Sequence, residues 1–214
     1  MDESRLGPSA ALAVACERRF RQNVKALARV APHLADLARD TTLVVTSLSA
    51  SRDGPVSCRL ETADGDRVWV GGNVVPQWAT AQMLGTLDLP EFGHLLLAPF
   101  DGGYGLNALL AATHEHQHLF VLESDIELFL GTLMVTDVRE ALTSGRVWLF
   151  VGPDLGEQVA DFLQAHPWHP VPKHLITMST RQEVVDLYRA EVDLAQRRAA
   201  AHRGVRDEPQ SEVA

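Results

Sequence analysis

The stretch HLLLAPFDGGYGLNALL at residues 94–110 decides the fold of this chain. Its almost unbroken apolar run at 94–100 is typical of a strand that is buried on both faces of a parallel sheet. Because Pro99 cannot donate a hydrogen bond inside a central strand, we expect this strand to end near Ala98. A glycine-rich turn and a helix of small residues at 105–113 follow. This order predicts the start of a strand–helix–strand unit.

The downstream sequence repeats that order. HLFVLES at 118–124 and RVWLFVG at 146–152 predict two further buried strands, with a helix at 125–135 between them. A third helix at 153–166 and a strand at 174–179 continue this alternation. Strands that alternate with helices in this way form parallel sheets joined by right-handed crossovers. We therefore expect 94–98, 118–123 and 146–151 to be neighbouring parallel strands.

The upstream sequence has a different pattern. Apolar residues recur at helical spacing from Ser9 to Asp40, and Pro32 is expected to divide this stretch into two helices. Three short segments with β-strand character then predict an antiparallel meander, and a short helix follows them. The predicted strands are 42–49, 55–62 and 67–72, with turns at Asp53-Gly54 and Asp64-Gly65, and the helix is 76–88.

These patterns predict an α/β fold with a Rossmann-like, methyltransferase-like parallel sheet, preceded by a helical segment and a small antiparallel β meander. A capping-box pattern at Thr180 and Glu183 predicts the last helix. The predicted organisation is a disordered start at 1–8, helices and meander at 9–90, the Rossmann-like core at 91–179, the C-terminal helix at 180–203 and a tail at 204–214.

Composition excludes several functional classes. Apolar residues make up 46% of the 214 residues and charged residues 22%, as in ordinary globular proteins. The net charge of −9 argues against nucleic-acid binding, which depends on cationic side chains. Two cysteines suit a reducing compartment. With no apolar run of the ~18 residues that a membrane helix needs, and no signal peptide, we expect a cytoplasmic protein without a membrane partner.

The candidate binding site is the segment APFDGGYGLN at 98–107. Glycines there allow the backbone to approach a ligand closely, so the predicted contacts are the backbone groups of Gly102, Gly103 and Gly105 at a helix N-terminus. Glu123 ends the second strand, where acidic residues accept hydrogen bonds from ribose hydroxyls. Asp101 and Asp154 are predicted as secondary contacts on the same edge. The alternative is a glycine turn that only connects a strand to a helix.

Other motifs carry less information about function. HEHQH at 114–118 lies in a turn at the opposite edge of the sheet and lacks the spacing of zinc sites, so solvated histidines and no metal are expected. The chain has no GxSxG elbow, P-loop or CxxC motif. No catalytic residue is therefore assigned.

The order of these segments resembles the N-terminal region of motility-associated-factor (Maf) type glycosyltransferases and of related hydroxymethylpterin-diphosphokinase-like proteins. The resemblance covers roughly residues 18–155 and is carried by Gly103-Tyr104, by Glu123 to Asp125 and by the stretch 137–147. In the loop, Pro99 and Asp101 stand where family members have glycines. We expect these 214 residues to lack the catalytic region that follows this module in the family, either as an isolated N-terminal module or as part of a larger gene product.

The resemblance implies a Rossmann-like module that binds a nucleotide or nucleotide-sugar, or that is a scaffold for a separate catalytic part. Its expected partners are then a nucleotide-type small molecule and a protein acceptor or separate catalytic domain. Two alternatives remain open from the residues: an S-adenosylmethionine-dependent methyltransferase, whose chemistry needs mainly cofactor positioning, and a degenerate domain kept for protein interaction.

Overall fold

A computed structural model describes residues 8–50, 55–62, 64–71, 76–177, 179 and 181–206. The helices are α1 (Pro8–Val30), α2 (Pro32–Asp40), α3 (Pro76–Gly85), α4 (Tyr104–Ala112), α5 (Ile126–Val135), α6 (Arg139–Thr143), α7 (Leu155–Ala165) and α8 (Gln182–Arg206). The strands are β1 (Val44–Ala50), β2 (Val56–Glu61), β3 (Arg67–Val70), β4 (Leu95–Ala98), β5 (Leu119–Glu123), β6 (Val147–Val151) and β7 (His174–Thr177).

The larger sheet has four parallel strands in the order β6-β5-β4-β7. Leu95 pairs with Leu119 in the next strand, and Leu119 pairs in turn with Val147. The prediction of three neighbouring parallel strands is confirmed. β4 ends at Ala98, as the following proline requires.

Alternate residues of each strand enter two different cores. Leu95, Leu97, Leu119 and Val121 pack with α1, α2, α4, α5 and α6 on one face of the sheet. The intervening residues, with Leu96 and Phe120 among them, pack with α7 and α8 on the other face. Because both faces of the sheet are buried against helices, the sequences of these strands are continuous hydrophobic runs. The fold is α/β, with a Rossmann-like parallel sheet between two layers of helices.

The smaller sheet is the predicted antiparallel meander, in the order β1-β2-β3. Gly65 closes the second turn with a φ of 82°, a left-handed conformation that glycine adopts without strain. The first predicted turn, at residues 53–54, and Thr180 of the predicted capping box lie outside the described residues. One short element was not predicted from the sequence: α6, a five-residue helix, joins α5 to β6.

The meander packs against α1 and α5. Cys16 of α1 and Cys58 of β2 are buried in this contact, together with Leu60, Val70 and Val135. Gly131 of α5 allows the close approach, because a Cβ atom there would lie 2.8 Å from Leu60 Cδ1 and from Val70 Cγ2. In the described part of the chain, no helix has the length and apolar character that a membrane span requires.

Candidate functional site

The chain changes direction across the parallel sheet at β4. From β4 it moves to β5 and β6 on one side, and after α7 it returns to form β7 on the other side. Open α/β sheets bind ligands outside the carboxyl ends of their strands at such a switch point. The loop after β4, residues 99–103, leaves the sheet at this position.

The loop glycines are left-handed and buried. Gly102 and Gly103 have φ values of 70° and 74°. A Cβ atom at Gly102 would lie 2.9 Å from Gly71 Cα at the end of the meander, and one at Gly103 would lie 3.1 Å from Thr132 Cγ2. These glycines therefore allow the meander and α5 to close over the loop.

Hydrogen bonds fix the loop against α5. The Gly102 amide donates to Thr132 Oγ1 over 3.1 Å, and the hydroxyl of Thr136 donates to the Gly102 carbonyl. The Gly103 amide donates to the Phe100 carbonyl over 2.9 Å. Gly105, the third predicted glycine contact, is buried in the first turn of α4. The polar groups of Gly102 and the amide of Gly103 are thus engaged inside the protein.

Glu123 lies at the end of β5, as predicted, with only 2% of its surface exposed. One carboxylate oxygen accepts the Phe100 amide at 3.1 Å, and the other accepts the Asp125 amide at 3.1 Å. The Tyr188 hydroxyl lies 3.3 Å from that second oxygen. Burial raises the pKa of Glu123 to about 7, although the two amide hydrogen bonds act in the opposite direction. The carboxyl group therefore joins the loop, the start of α5 and α8.

Tyr188 covers Glu123 from α8. Its ring is 1% exposed, and its hydroxyl also accepts a hydrogen bond from the Ser124 amide over 3.1 Å. Burial and the neighbouring Glu123 carboxyl raise the pKa of the phenol. Sequence reasoning missed this contact, because nothing in an amphipathic helix marks which buried tyrosine meets a carboxyl group more than sixty residues away.

Of the two aspartates of the predicted site, Asp154 lies apart from this network. Asp154 is exposed after β6, two strands from β4, and its φ of 59° is left-handed, which is unusual for a residue other than glycine. It precedes α7, and its side chain does not cap that helix. The backbone of Asp101 lies in the loop, and its side chain is outside the described part of the structure.

A cavity of about 490 Å³ opens beside the loop. Tyr104, the first residue of α4, forms one wall, and its hydroxyl donates to the Val56 carbonyl over 2.9 Å. The described lining residues come from α1, the meander and the residue before β2, α3, α4, the end of α5 and the link after it: Arg19, Pro55, Val56, Thr80, Tyr104, Asn107, Ala108, Val135, Thr136 and Asp137.

The polar groups of the cavity are held in place by their neighbours. Arg19 Nη1 donates to the Val135 carbonyl over 2.6 Å, and Asn107 Nδ2 donates to the Asp137 carbonyl over 3.0 Å. Arg139 forms an ion pair with Asp137 and lowers the pKa of its carboxyl group. Sequence reasoning missed this set, because Arg19 and Asn107 are ordinary helix residues until the tertiary fold brings them together.

The opposite edge of the sheet carries a histidine cluster. His94 is buried before β4, where its Nδ1 accepts the His118 amide and its Nε2 lies 3.3 Å from His169 Nδ1. His118 Nδ1 also accepts the indole N–H of Trp148 over 3.2 Å. Of the histidines at 114–118 that were expected to be solvated, His114 and His116 are exposed, whereas His118 is half-buried between His94 and Trp148. Within the described residues, no group of three or more metal-binding side chains could hold an ion.

No protein-family model matches the chain, and no curated protein matches it either. Among solved structures, the fold is similar to that of a Maf glycosyltransferase from Magnetospirillum magneticum AMB-1, with a TM-score of 0.58 at 15% sequence identity. The similarity covers 85% of this chain and 35% of the glycosyltransferase chain, so this chain spans about a third of that protein's length. The chain thus shares a Rossmann-like fold with a Maf glycosyltransferase at a distant structural level.

Proposed function

We propose that this chain is a Rossmann-like module of a Maf-like glycosyltransferase that binds a nucleotide or nucleotide-sugar at the carboxyl edge of β4. The observation that carries the proposal is the sheet order β6-β5-β4-β7, which puts the switch point beside the glycine loop. The structural similarity to a solved Maf glycosyltransferase supports the same proposal.

The cavity beside the loop is the place for this ligand. Its volume of about 490 Å³ falls in the range of small-molecule sites. Arg19 offers a guanidinium group, whose five N–H donors allow contact with a phosphate in addition to Val135. Tyr104, Val56 and Val135 supply apolar walls for a base or a sugar face.

In this proposal the predicted site residues have two kinds of role. Gly102 and Gly103 allow the meander and α5 to close over the loop, and Gly105 follows the cavity residue Tyr104 in α4. Glu123 holds the loop through the Phe100 amide. A direct contact between Glu123 and a ribose would require the ligand to replace Tyr188. Asp101 and Asp154 remain secondary contacts for a ligand that extends along the carboxyl edge of the sheet.

Thermal shift with CMP, UDP, GDP, their sugar conjugates, S-adenosylmethionine and S-adenosylhomocysteine tests the proposal. A ligand at about 100 times its Kd should raise the free energy of unfolding by about 2.7 kcal/mol. Calorimetry on Asn107→Ala should then show binding weakened about tenfold. Gln164→Ala, on the exposed side of α7, is the matched control. Unchanged affinity in Asn107→Ala, together with tighter binding to Tyr188→Phe, which removes the hydroxyl that competes for Glu123, would move the ligand to Glu123.

A second candidate function is a scaffold for a separate catalytic part. The burial of the loop glycines and of Glu123 favours it, since these groups already hold the meander, α5 and α8 together. If no compound of the panel stabilises the protein, the scaffold becomes the leading function. A response to S-adenosylmethionine alone would instead favour a methyltransferase.

A further inference from the structure

β6 forms one edge of the parallel sheet, and its outer side borders a groove of about 520 Å³. The junction of α1 and α2 forms one wall of the groove, and α7 forms the other. The described lining residues are Val30, Ala31, His33, Leu142, Gly145, Val147, Trp148, Leu149, Phe150, Gln158, Phe162 and His166. We call this feature the β6 groove.

Half of the backbone groups of β6 face the groove. The Arg146 carbonyl accepts the Leu119 amide, and the Gly152 amide donates to the Glu123 carbonyl, so even-numbered residues bond to β5. In a parallel ladder, the alternate residues direct their N–H and C=O groups to the other side. Val147 and Leu149 therefore present peptide groups to the groove. The Val151 carbonyl at the end of the strand accepts a hydrogen bond from Gln158.

This edge lacks the usual protection against strand pairing. Edge strands are commonly blunted by charged residues, proline or a bulge, whereas β6 has the sequence VWLFV. Among the described lining residues, none carries a carboxylate, guanidinium or ammonium group. In a chain with a net charge of −9, a strip without acidic, lysine or arginine side chains fits an uncharged occupant.

The shape of the edge favours a single extended chain over a second copy of the protein. All five residues of β6 are buried or half-buried, so the strand is recessed between its two walls. A stable dimer buries about 800 Å² per partner, which a recessed strand of this length does not expose. An extended peptide enters such a groove by strand addition, with main-chain hydrogen bonds for affinity and apolar side chains in the adjoining pockets.

We propose that the β6 groove binds an uncharged, apolar, extended peptide segment of a partner protein as a fifth strand of the sheet. The segment pairs with the outward peptide groups of Val147 and Leu149, and its side chains contact Val30 on one wall and Phe162 on the other.

The probe for this proposal is a capped heptapeptide of alternating threonine and valine, at about 1 mM to detect weak binding. Amide hydrogen exchange followed by NMR should show new protection at Val147 and Leu149. Trp148 and Phe150, whose amides bond to β5, are protected with or without peptide and are the internal control. The same peptide N-methylated at every amide should bind at least about tenfold more weakly, because it has lost its N–H donors.

A pair of valine variants tests the wall of the groove. Val30 and Val44 are 45% and 53% exposed, and only Val30 lines the groove. Val30→Lys should weaken peptide binding about tenfold, since the ammonium group would lie against an apolar segment. Val44→Lys should have no effect on it.

Three results would overturn the proposal. The first is equal binding of the parent and N-methylated peptides, which would make the groove a simple apolar pocket. The second is protection of Val147 and Leu149 without peptide that disappears on dilution, which would assign the edge to a second copy. The third is an unchanged exchange rate at both residues with peptide present.

Discussion

At the scale of single residues, Gly102 has two structural requirements: a left-handed φ and the absence of a Cβ atom next to Gly71. Gly65 has a φ of 82° and no atom within 4 Å of an added Cβ, so it meets only the first requirement. Gly65→Ala should cost about 1 kcal/mol of unfolding free energy, from backbone strain. Gly102→Ala should cost about 3 kcal/mol or more, because strain and overlap add.

Urea denaturation of both glycine variants measures this difference. Equal losses of unfolding free energy at Gly65 and Gly102 would mean that the meander shifts to accommodate the new methyl group. The close approach of Gly71 to Gly102 would then not be required.

Two other residues, Glu123 and His94, give opposing pH dependence. Burial raises the pKa of Glu123 to about 7, so its stabilising contribution is complete below its ordinary pKa of 4.5 and is lost as the pH rises through 7. Burial, His118, His169 and His116 lower the pKa of His94 from 6.5 to about 4. Its contribution is complete above pH 6.5 and is lost as the pH falls through 4.

Between pH 4.5 and 6.5 the contributions of Glu123 and His94 to stability change in opposite directions with pH. Burial also lowers the pKa values of His118 and His169, and their contributions remain in His94→Gln. As the pH rises through this window, the Tm of His94→Gln should therefore rise less, or fall more, than that of the wild type, because the variant lacks the His94 contribution. His114→Gln, at an exposed histidine, is the control and should follow the wild type. A scan of Tm against pH makes the comparison, and parallel curves for His94→Gln and wild type would contradict the assignment of these pKa values.

At the scale of elements, α1 holds the end of α5 through one amide side chain. Asn23 is fully buried, and its Nδ2 donates to the carbonyls of Leu133 and Thr136, each over 2.7 Å. Its Oδ1 accepts the Val138 amide at 3.2 Å, just before α6. This side chain supplies the partners that a helix end otherwise lacks.

Asn23→Ala should therefore destabilise the fold by about 3 kcal/mol, because three buried backbone groups lose their partner. Gln22→Ala, at the exposed neighbouring position, should change the free energy of unfolding by less than about 0.5 kcal/mol. Chemical denaturation measures both variants. A loss below about 1 kcal/mol for Asn23→Ala would show that water replaces the side chain.

At the scale of the whole molecule, Gly131 couples the meander to the layer of helices beneath it. Gly131→Ala would put a methyl group 2.8 Å from Leu60 and Val70 in the meander, so it should cost about 1–3 kcal/mol. Gly85→Ala adds a methyl group with no atom within 4 Å and should be neutral within about 0.5 kcal/mol.

Calorimetric unfolding shows whether this coupling extends to the whole chain. A single transition that moves to lower temperature in Gly131→Ala is expected, since the meander and the parallel sheet share α1 and α5. A separate early transition in that variant would show that the meander unfolds by itself.

Local sequence by itself determined the order of elements and the class of the fold. The runs at 94–98, 118–123 and 146–151 had to be buried on both faces, and helices between them force parallel pairing. The antiparallel meander followed from alternating short segments, with glycine at the turn that is described. These features depend on neighbours in sequence, so periodicity and turn chemistry predict them.

Only the tertiary structure decided what the predicted site residues contact. The position of Glu123 at the end of β5 could be predicted from the sequence. Its contact with Tyr188 could not, because contacts between distant segments depend on how the helices pack. For the same reason the sequence did not reveal that Gly102 faces Gly71, or that Arg19 and Asn107 share a cavity. The sequence pattern predicts at which edge of the sheet a side chain lies. The packing of elements that are distant in sequence decides whether that side chain faces a ligand or the protein interior.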